Sequence, residues 1–132
     1  MSANSSVIPV DHRRKLGQLG EEAALVYLRS LGMTLIVRNW RCRIGELDLV
    51  MWDGREIVFV EVKSRYYSSE NAKYLFDTVG PRKQRTLRNL VEVFLRTLRC
   101  RELPRHRLDL VGVLIDAQTL EPTKIEHLRA EL

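Results

Sequence analysis

The chain has 132 residues, 45% of them apolar and 30% charged, which suits one domain with a single hydrophobic core and excludes extended disorder. No apolar run approaches the roughly 20 residues that span a bilayer, and Met1 to Val10 lacks the basic start and apolar block of a secretion signal, so a cytoplasmic protein without a membrane partner is expected. The net charge is +5, and the two cysteines, Cys42 and Cys100, form no CxxC pair, which argues against a disulfide framework or a zinc knuckle.

Residues 1–12 read as a flexible tail ahead of one domain over 13–132, with Asp11 a candidate helix cap. From Arg13 to Leu31 the apolar residues Leu16, Leu19, Ala23, Ala24, Tyr27, Leu28 and Leu31 recur at helical spacing, and Gly32 then ends the helix. A short β-rich run, Thr34–Val37, precedes a basic turn that includes Arg38, Asn39, Arg41 and Arg43. Two strands follow, Ile44–Trp52 and Arg55–Ser64, with Asp53-Gly54 expected as a tight two-residue loop. A long connection to Gly80 carries Tyr66, Tyr67, Tyr74 and Phe76, aromatic side chains that either stack on unpaired bases or pack over the core.

Pro81 opens a second helix with the stripe Leu87, Leu90, Val91, Phe94, Leu95 and Leu98. Between Pro81 and Arg107 nine Lys or Arg stand against Glu92 and Glu102, a field that attracts phosphate backbones or forms a plain solvated face. Leu108–Ile115 reads as a strand and Lys124–Leu132 as a terminal turn or helix. The order predicts an α/β or α+β fold with a mixed sheet and an αβββαβ core.

The hairpin carries the most specific chemistry. With Asp53-Gly54 as the loop, Trp52 faces Arg55, Glu46 faces Glu61 and Asp48 faces Phe59. Glu46, Asp48, Glu61 and Lys63 then share one side of the sheet, while Leu47, Leu49 and Met51 meet Val58, Val60 and Val62 on the other. Crowded carboxylates repel one another unless a positive charge compensates, and Mg²⁺ or Mn²⁺ with its preference for oxygen ligands is the natural partner. The carboxylates of Glu46, Asp48 and Glu61 are the candidate ligands, with the Val62 carbonyl as a further oxygen. The plainer alternative is an ion-pair ladder in which Glu46 or Glu61 meets Lys63 and nearby arginines. His12, His106 and His127 have no partner at metal spacing, and Arg107 and Asp109 are expected to form an ion pair near a sheet edge.

Gly45-Glu46-Leu47-Asp48-Leu49-Val50 and Glu61-Val62-Lys63, with twelve residues between Asp48 and Glu61, resemble the D…ExK signature of the restriction-endonuclease-like superfamily. Over about residues 16–132 the chain is similar to the YraN-like family of small bacterial proteins, UPF0102, which is related by fold to archaeal Holliday-junction resolvases. That similarity also runs through Gly17-x-x-Gly20-Glu21, Asn39-Trp40-Arg41-Cys42-Arg43, Val79-x-x-x-Lys83-Gln84, Arg107-Leu108-Asp109 and Ile125-Glu126-His127. The resemblance implies a metal-dependent endonuclease acting on DNA more than RNA, including branched or junction DNA. It assigns catalytic roles to four residues: Asp48 and Glu61 as the metal ligands, Lys63 beside the attacking water, and Glu21 as the acid supplied from the first helix. Helical periodicity by itself does not choose between Glu21 and Glu22. Substrate contacts are expected from Arg41, Arg43, Arg65, Lys83, Gln84, Arg85 and Arg88. Junction resolvases cut two strands symmetrically as dimers, so a homodimer is implied, with no dimer face located. The competing classes are a non-catalytic nucleic-acid-binding module and a basic protein-interaction adaptor.

Overall fold

The computed structural model describes residues 10–73 and 80–130. Its first helix, α1 (Val10–Ser30), takes in residues 10–12, which composition had assigned to the tail. Leu16, Ala24, Leu25 and Leu28 bury its inner stripe, and Gly32 (φ +93°) ends it. Leu31, expected on that stripe, is exposed because it follows the last helical turn.

Five strands form one mixed sheet in the order β1-β2-β3-β4-β5. They are β1 (Thr34–Cys42), β2 (Gly45–Asp53), β3 (Glu56–Tyr66), β4 (Arg105–Ile115) and β5 (Pro122–Ala130). β3 and β4 run parallel and every other neighbouring pair antiparallel. A short helix, α2 (Ser69–Lys73), and α3 (Pro81–Thr97) lie in the β3–β4 crossover, as a parallel connection requires. The αβββαβ core is thus present in a single-domain α+β fold. Among the described residues no helix is long and apolar enough to cross a membrane.

Each sheet face carries its own core. On one, α1 covers Leu49, Met51, Val58, Val60, Val111, Val113 and Ile115. On the other, Leu87, Leu90, Val91, Phe94 and Leu95 of α3 cover Val50, Ile57, Phe59, Leu108 and Leu110. Phe94 meets Trp40 and Phe59 edge-on at centroid distances of 5.3 and 5.5 Å, which accounts for Trp40 as a packing residue.

Three expectations are corrected. The hairpin loop is Gly54-Arg55, closed by the pair Asp53–Glu56, because glycine is required at the first loop position, where Gly54 has φ +65°. Trp52 therefore faces Ile57, and Phe59 faces Val50. Glu46 lies opposite Arg41 of β1, which extends past Val37 to Cys42 through the stretch expected as a turn. The last segment is strand β5, paired along β4, so β4 is an inner strand and Arg107 and Asp109 do not sit at an edge.

Tyr66 packs against the α1-side core, whereas Tyr67 is exposed. Tyr74 and Phe76 lie outside the described residues, as does the side chain of Asp11.

Candidate metal centre

The β2–β3 ladder ends at Leu49–Val60, and one residue beyond it the alternation of β2 is interrupted. Leu47 packs in the α3-side core although Leu49 packs in the α1-side core. Asp48, between them, accepts the Val62 N–H on Oδ2 at 2.8 Å, a bond from side chain to strand where the backbone ladder stops. Its carboxylate is thereby aimed into the gap between two strands rather than across either face.

Glu46 reaches the same place from β2 and Glu21 from α1. Each of Glu21, Glu46 and Asp48 offers a carboxylate oxygen within 4.8 Å of the others. The helix can deliver Glu21 there because Gly20 has no side chain. A Cβ on Gly20 would stand 1.6 Å from Oγ and 2.7 Å from Cβ of Ser64, so α1 rests directly on β3 at the buried Ser64. Gly20→Ala should therefore lift α1, destabilise the fold by about 1–3 kcal/mol and weaken divalent-cation binding, with Gly20→Ala/Ser64→Gly recovering both. Thermal melts and Mn²⁺ titration of the two variants check this.

Arg38 separates the roles of the two helix acids. It holds the exposed Glu22 at 3.0 Å but stands 3.9 Å from Glu21, which stays in the cluster. Asn39, at φ +54°, adds a side-chain hydrogen bond to Glu21. An open cleft of ≈ 540 Å³ lined by Lys15, Gln18, Glu21, Arg38 and Asn39 leads to this side of the cluster. A second concavity, along Arg41–Glu46, borders its other side.

Glu61 departs from the expected arrangement. It is not one of the three converging acids, and its Oε1 lies 2.9 Å from Nζ of Lys83, reaching in from α3. The ion-pair alternative is thus realised in part, with Lys83 as the partner of Glu61 and Arg41 as that of Glu46. Lys63 remains on β3 beside Glu61, half-buried.

The charges are held far from their ordinary balance. Burial, then the nearby charge of Glu61, pushes Asp48 up to about 8 against the opposing Val62 hydrogen bond. Burial also raises Glu21, although Arg38 and Asn39 work the other way. Lys63 is lowered by burial, then by Arg65 and Lys83. Burial disfavours the charge on Lys83 too, but the hydrogen bond and charge of Glu61 outweigh it and leave its pKa raised.

The expected substrate-binding residues are spread around this centre. Arg43, Arg85 and Arg88 are exposed, Arg41 is exposed but tied to Glu46, and Arg65 donates to the Ser64 carbonyl at 2.8 Å. Lys83 is tied to Glu61 beside the acid cluster rather than standing on an outer basic face, and Gln84 follows it in the first turn of α3. The positions that sequence reasoning did not assign to the site are Arg38, Asn39, Gly20 and Ser64. An interior helix glycine beside an acid was the available signal for the last two.

At the opposite end of the sheet a second polar group packs against α1. Arg107 donates through Nε to the fully buried Asp109 at 3.0 Å, and its Nη atoms reach Glu56 at 2.7 Å and Asp53 at 3.0 Å. His127 Nε2 lies 2.7 Å from Asp109, and its Nδ1 lies 3.0 Å from the Tyr27 hydroxyl. His127 thus has structural partners and no place in a cluster of metal-binding groups among the described residues.

Comparison with known proteins gives one consistent result. The family model described as "Uncharacterised protein family UPF0102" matches residues 20–113. A UPF0102 protein of Mycolicibacterium vanbaalenii is 41% identical over 109 residues, covering 80% of this chain and 84% of its own. One of Streptomyces griseus is 42% identical over 125 residues (89% and 95%), and one of Chloroflexus aurantiacus 40% over 104 (76% and 80%).

Proposed function

Because the chain belongs to the UPF0102 family and joins an acid cluster to a basic helix, we propose that it is a metal-dependent endonuclease hydrolysing phosphodiester bonds of DNA. The observation that carries this reading is the convergence of Glu21, Glu46 and Asp48 within 4.8 Å, with Lys63 and Lys83 alongside.

The donor set fits Mg²⁺ or Mn²⁺: it is all oxygen, anionic and open to a cleft, and lacks the His and Cys that zinc favours. Asp48, Glu21 and Glu46 would hold the ion, with Glu61 and the Val62 carbonyl in reserve as further oxygens. A divalent cation there would polarise a phosphoryl oxygen and acidify water. Lys63, lowered by burial and then by its basic neighbours, holds an ammonium able to orient that water or give a proton at Nζ. Arg82, Arg85 and Arg88, exposed on the first turns of α3, would seat the backbone of the substrate. Cutting both strands of a branched DNA requires two such centres, so a homodimer accompanies that substrate.

The direct test is a cleavage panel of single-stranded, duplex, flapped and four-way DNA with Mg²⁺ or Mn²⁺. Lys63→Ala should lose roughly 10²–10⁴-fold in rate while keeping the fold, and full activity in that variant would reveal a contaminating nuclease. Affinity should fall with salt by about 0.9 log unit per log unit for each phosphate contact, and Arg85→Ala or Arg88→Ala should each flatten that slope by about one contact. A slope near zero would remove the phosphate-binding role.

A second reading has its own support. Glu46 and Glu61 already carry cationic partners, as a non-catalytic nucleic-acid-binding module would require. Salt-dependent DNA binding with no Mn²⁺ uptake would favour it over the enzyme.

A further inference from the structure

Two lysines lie close to Glu61, and the one that binds it is the more distant in sequence. Lys63 is two residues along the same strand, yet the ion pair is made by Lys83, the third residue of α3. The Glu61 side chain is 16% exposed and that of Lys83 50%, so a half-exposed lysine from the helix pairs with a largely buried carboxylate. Glu61 is thereby held apart from the acids that converge on Asp48, although its charge is felt there.

We propose that Lys83 is an internal substitute for the divalent cation, neutralising Glu61 in the metal-free protein and passing to a phosphate of the nucleic acid when Glu61 turns to the ion. This rests on the metal-centre reading above. Four carboxylates crowd the end of the β2–β3 pair and need positive charge whether or not an ion is present. An ammonium on a flexible four-carbon stem is the side chain best able to supply that charge and then leave, since it swings without moving the backbone.

Its position in the first turn of α3 gives the released charge a destination. That turn has no acidic residue, and Gly80 provides no side-chain cap, so the ammonium and the amides of the turn can face one anion together. The exchange links two binding events: loading the ion adds one phosphate contact, and by reciprocity a bound phosphate raises affinity for the ion. Lys83 is in this role a positioning residue for Glu61 until the substrate arrives.

The test titrates Mn²⁺ alone into the wild-type protein, Lys83→Met and Lys83→Arg. Lys83→Met, which keeps the stem and removes the charge, should bind Mn²⁺ about tenfold more tightly, a coupling of ordinary size, while Lys83→Arg should stay near wild type. In a Lys63→Ala background, chosen so that DNA is not cut, Mn²⁺ should steepen the salt slope of duplex binding by about 0.9. Adding Lys83→Met should abolish that increment. Unchanged or weaker Mn²⁺ affinity in Lys83→Met, in a protein whose Mn²⁺ binding is lost with Asp48→Asn, would overturn the substitution and leave the metal centre standing. An unchanged salt slope would do the same. Absence of Mn²⁺ binding in the wild type would overturn both.

Discussion

Asp48→Asn should abolish Mn²⁺ binding and DNA cleavage and at the same time make the metal-free protein more stable at pH 8. The amide oxygen can still accept the Val62 N–H, so the end of the strand pair is preserved. What disappears is a carboxylate whose folded pKa, about 8, stands well above its ordinary 3.8. A group raised in this way costs nothing below pH 4, where it is protonated folded or unfolded. As pH climbs from 4 through 8 the unfolded chain sheds the proton and the folded one keeps it, so stability is lost across that window and stays lost above it.

At about 1.4 kcal/mol per pKa unit the loss is on the order of several kcal/mol, reduced by whatever relaxation the neighbouring acids permit. Urea melts at pH 5 and pH 8 should show wild type weakening and Asp48→Asn weakening much less. The remaining slope belongs to Glu21, which is raised in the same direction. A variant that is less stable than wild type at pH 8 would mean that the carboxylate is a structural support rather than a charge awaiting a cation.

Arg107→Ala should be the most damaging single substitution outside the apolar cores, costing about 3–5 kcal/mol. It strips the guanidinium from Asp109, which has no exposure to water, and frees Asp53 and Glu56 at the loop end of the β2–β3 hairpin. Three carboxylates hold Arg107 well above its ordinary pKa even though burial acts against it. Lysine cannot reproduce a fork that bonds through Nε and both Nη atoms, so Arg107→Lys should recover little. Arg107→Met combined with Asp109→Leu should recover part of the loss, because the one fully buried charge of the group is then not left unpaired. The denaturation midpoint at constant slope is the readout, and a cost under about 1 kcal/mol would show the cluster to be solvated.

Which parts of this molecule could be read from its sequence follows from where apolar periodicity exists. α1 and α3 carry strong stripes, and β2 from Leu49 onward and β3 alternate, so the apolar face under each helix was legible, although the single core expected from length is two, one on each side of the sheet, with Leu47 on the α3 side. The hairpin loop was displaced by one position because Asp-Gly and Gly-Arg are both acceptable two-residue loops. That moves the pairing by two residues and leaves the sidedness of β3 unchanged. β5 was missed because its inward positions include Ile125 and His127, one apolar and one polar, which give no alternating signal.

At the site, Asp48, Glu61 and Lys63 could be placed together from strand spacing and the ExK tripeptide. The break in alternation at Asp48 could not, since it depends on the Val62 amide. Nor could the choice of Glu21 over Glu22, which is made by the contact of Gly20 with Ser64 and by Arg38, or the reach of Lys83 from α3 to Glu61.

The hydrogen bond between Tyr27 and His127 joins residues 100 apart and ties the helix that bears Glu21 to the final strand. During synthesis this helix leaves the ribosome long before its fastening is translated. A nascent chain halted ahead of residue 122 already contains every acid of the centre and the α1–β3 contact that delivers Glu21, so the acids can gather first and the last strand adds only the final tie.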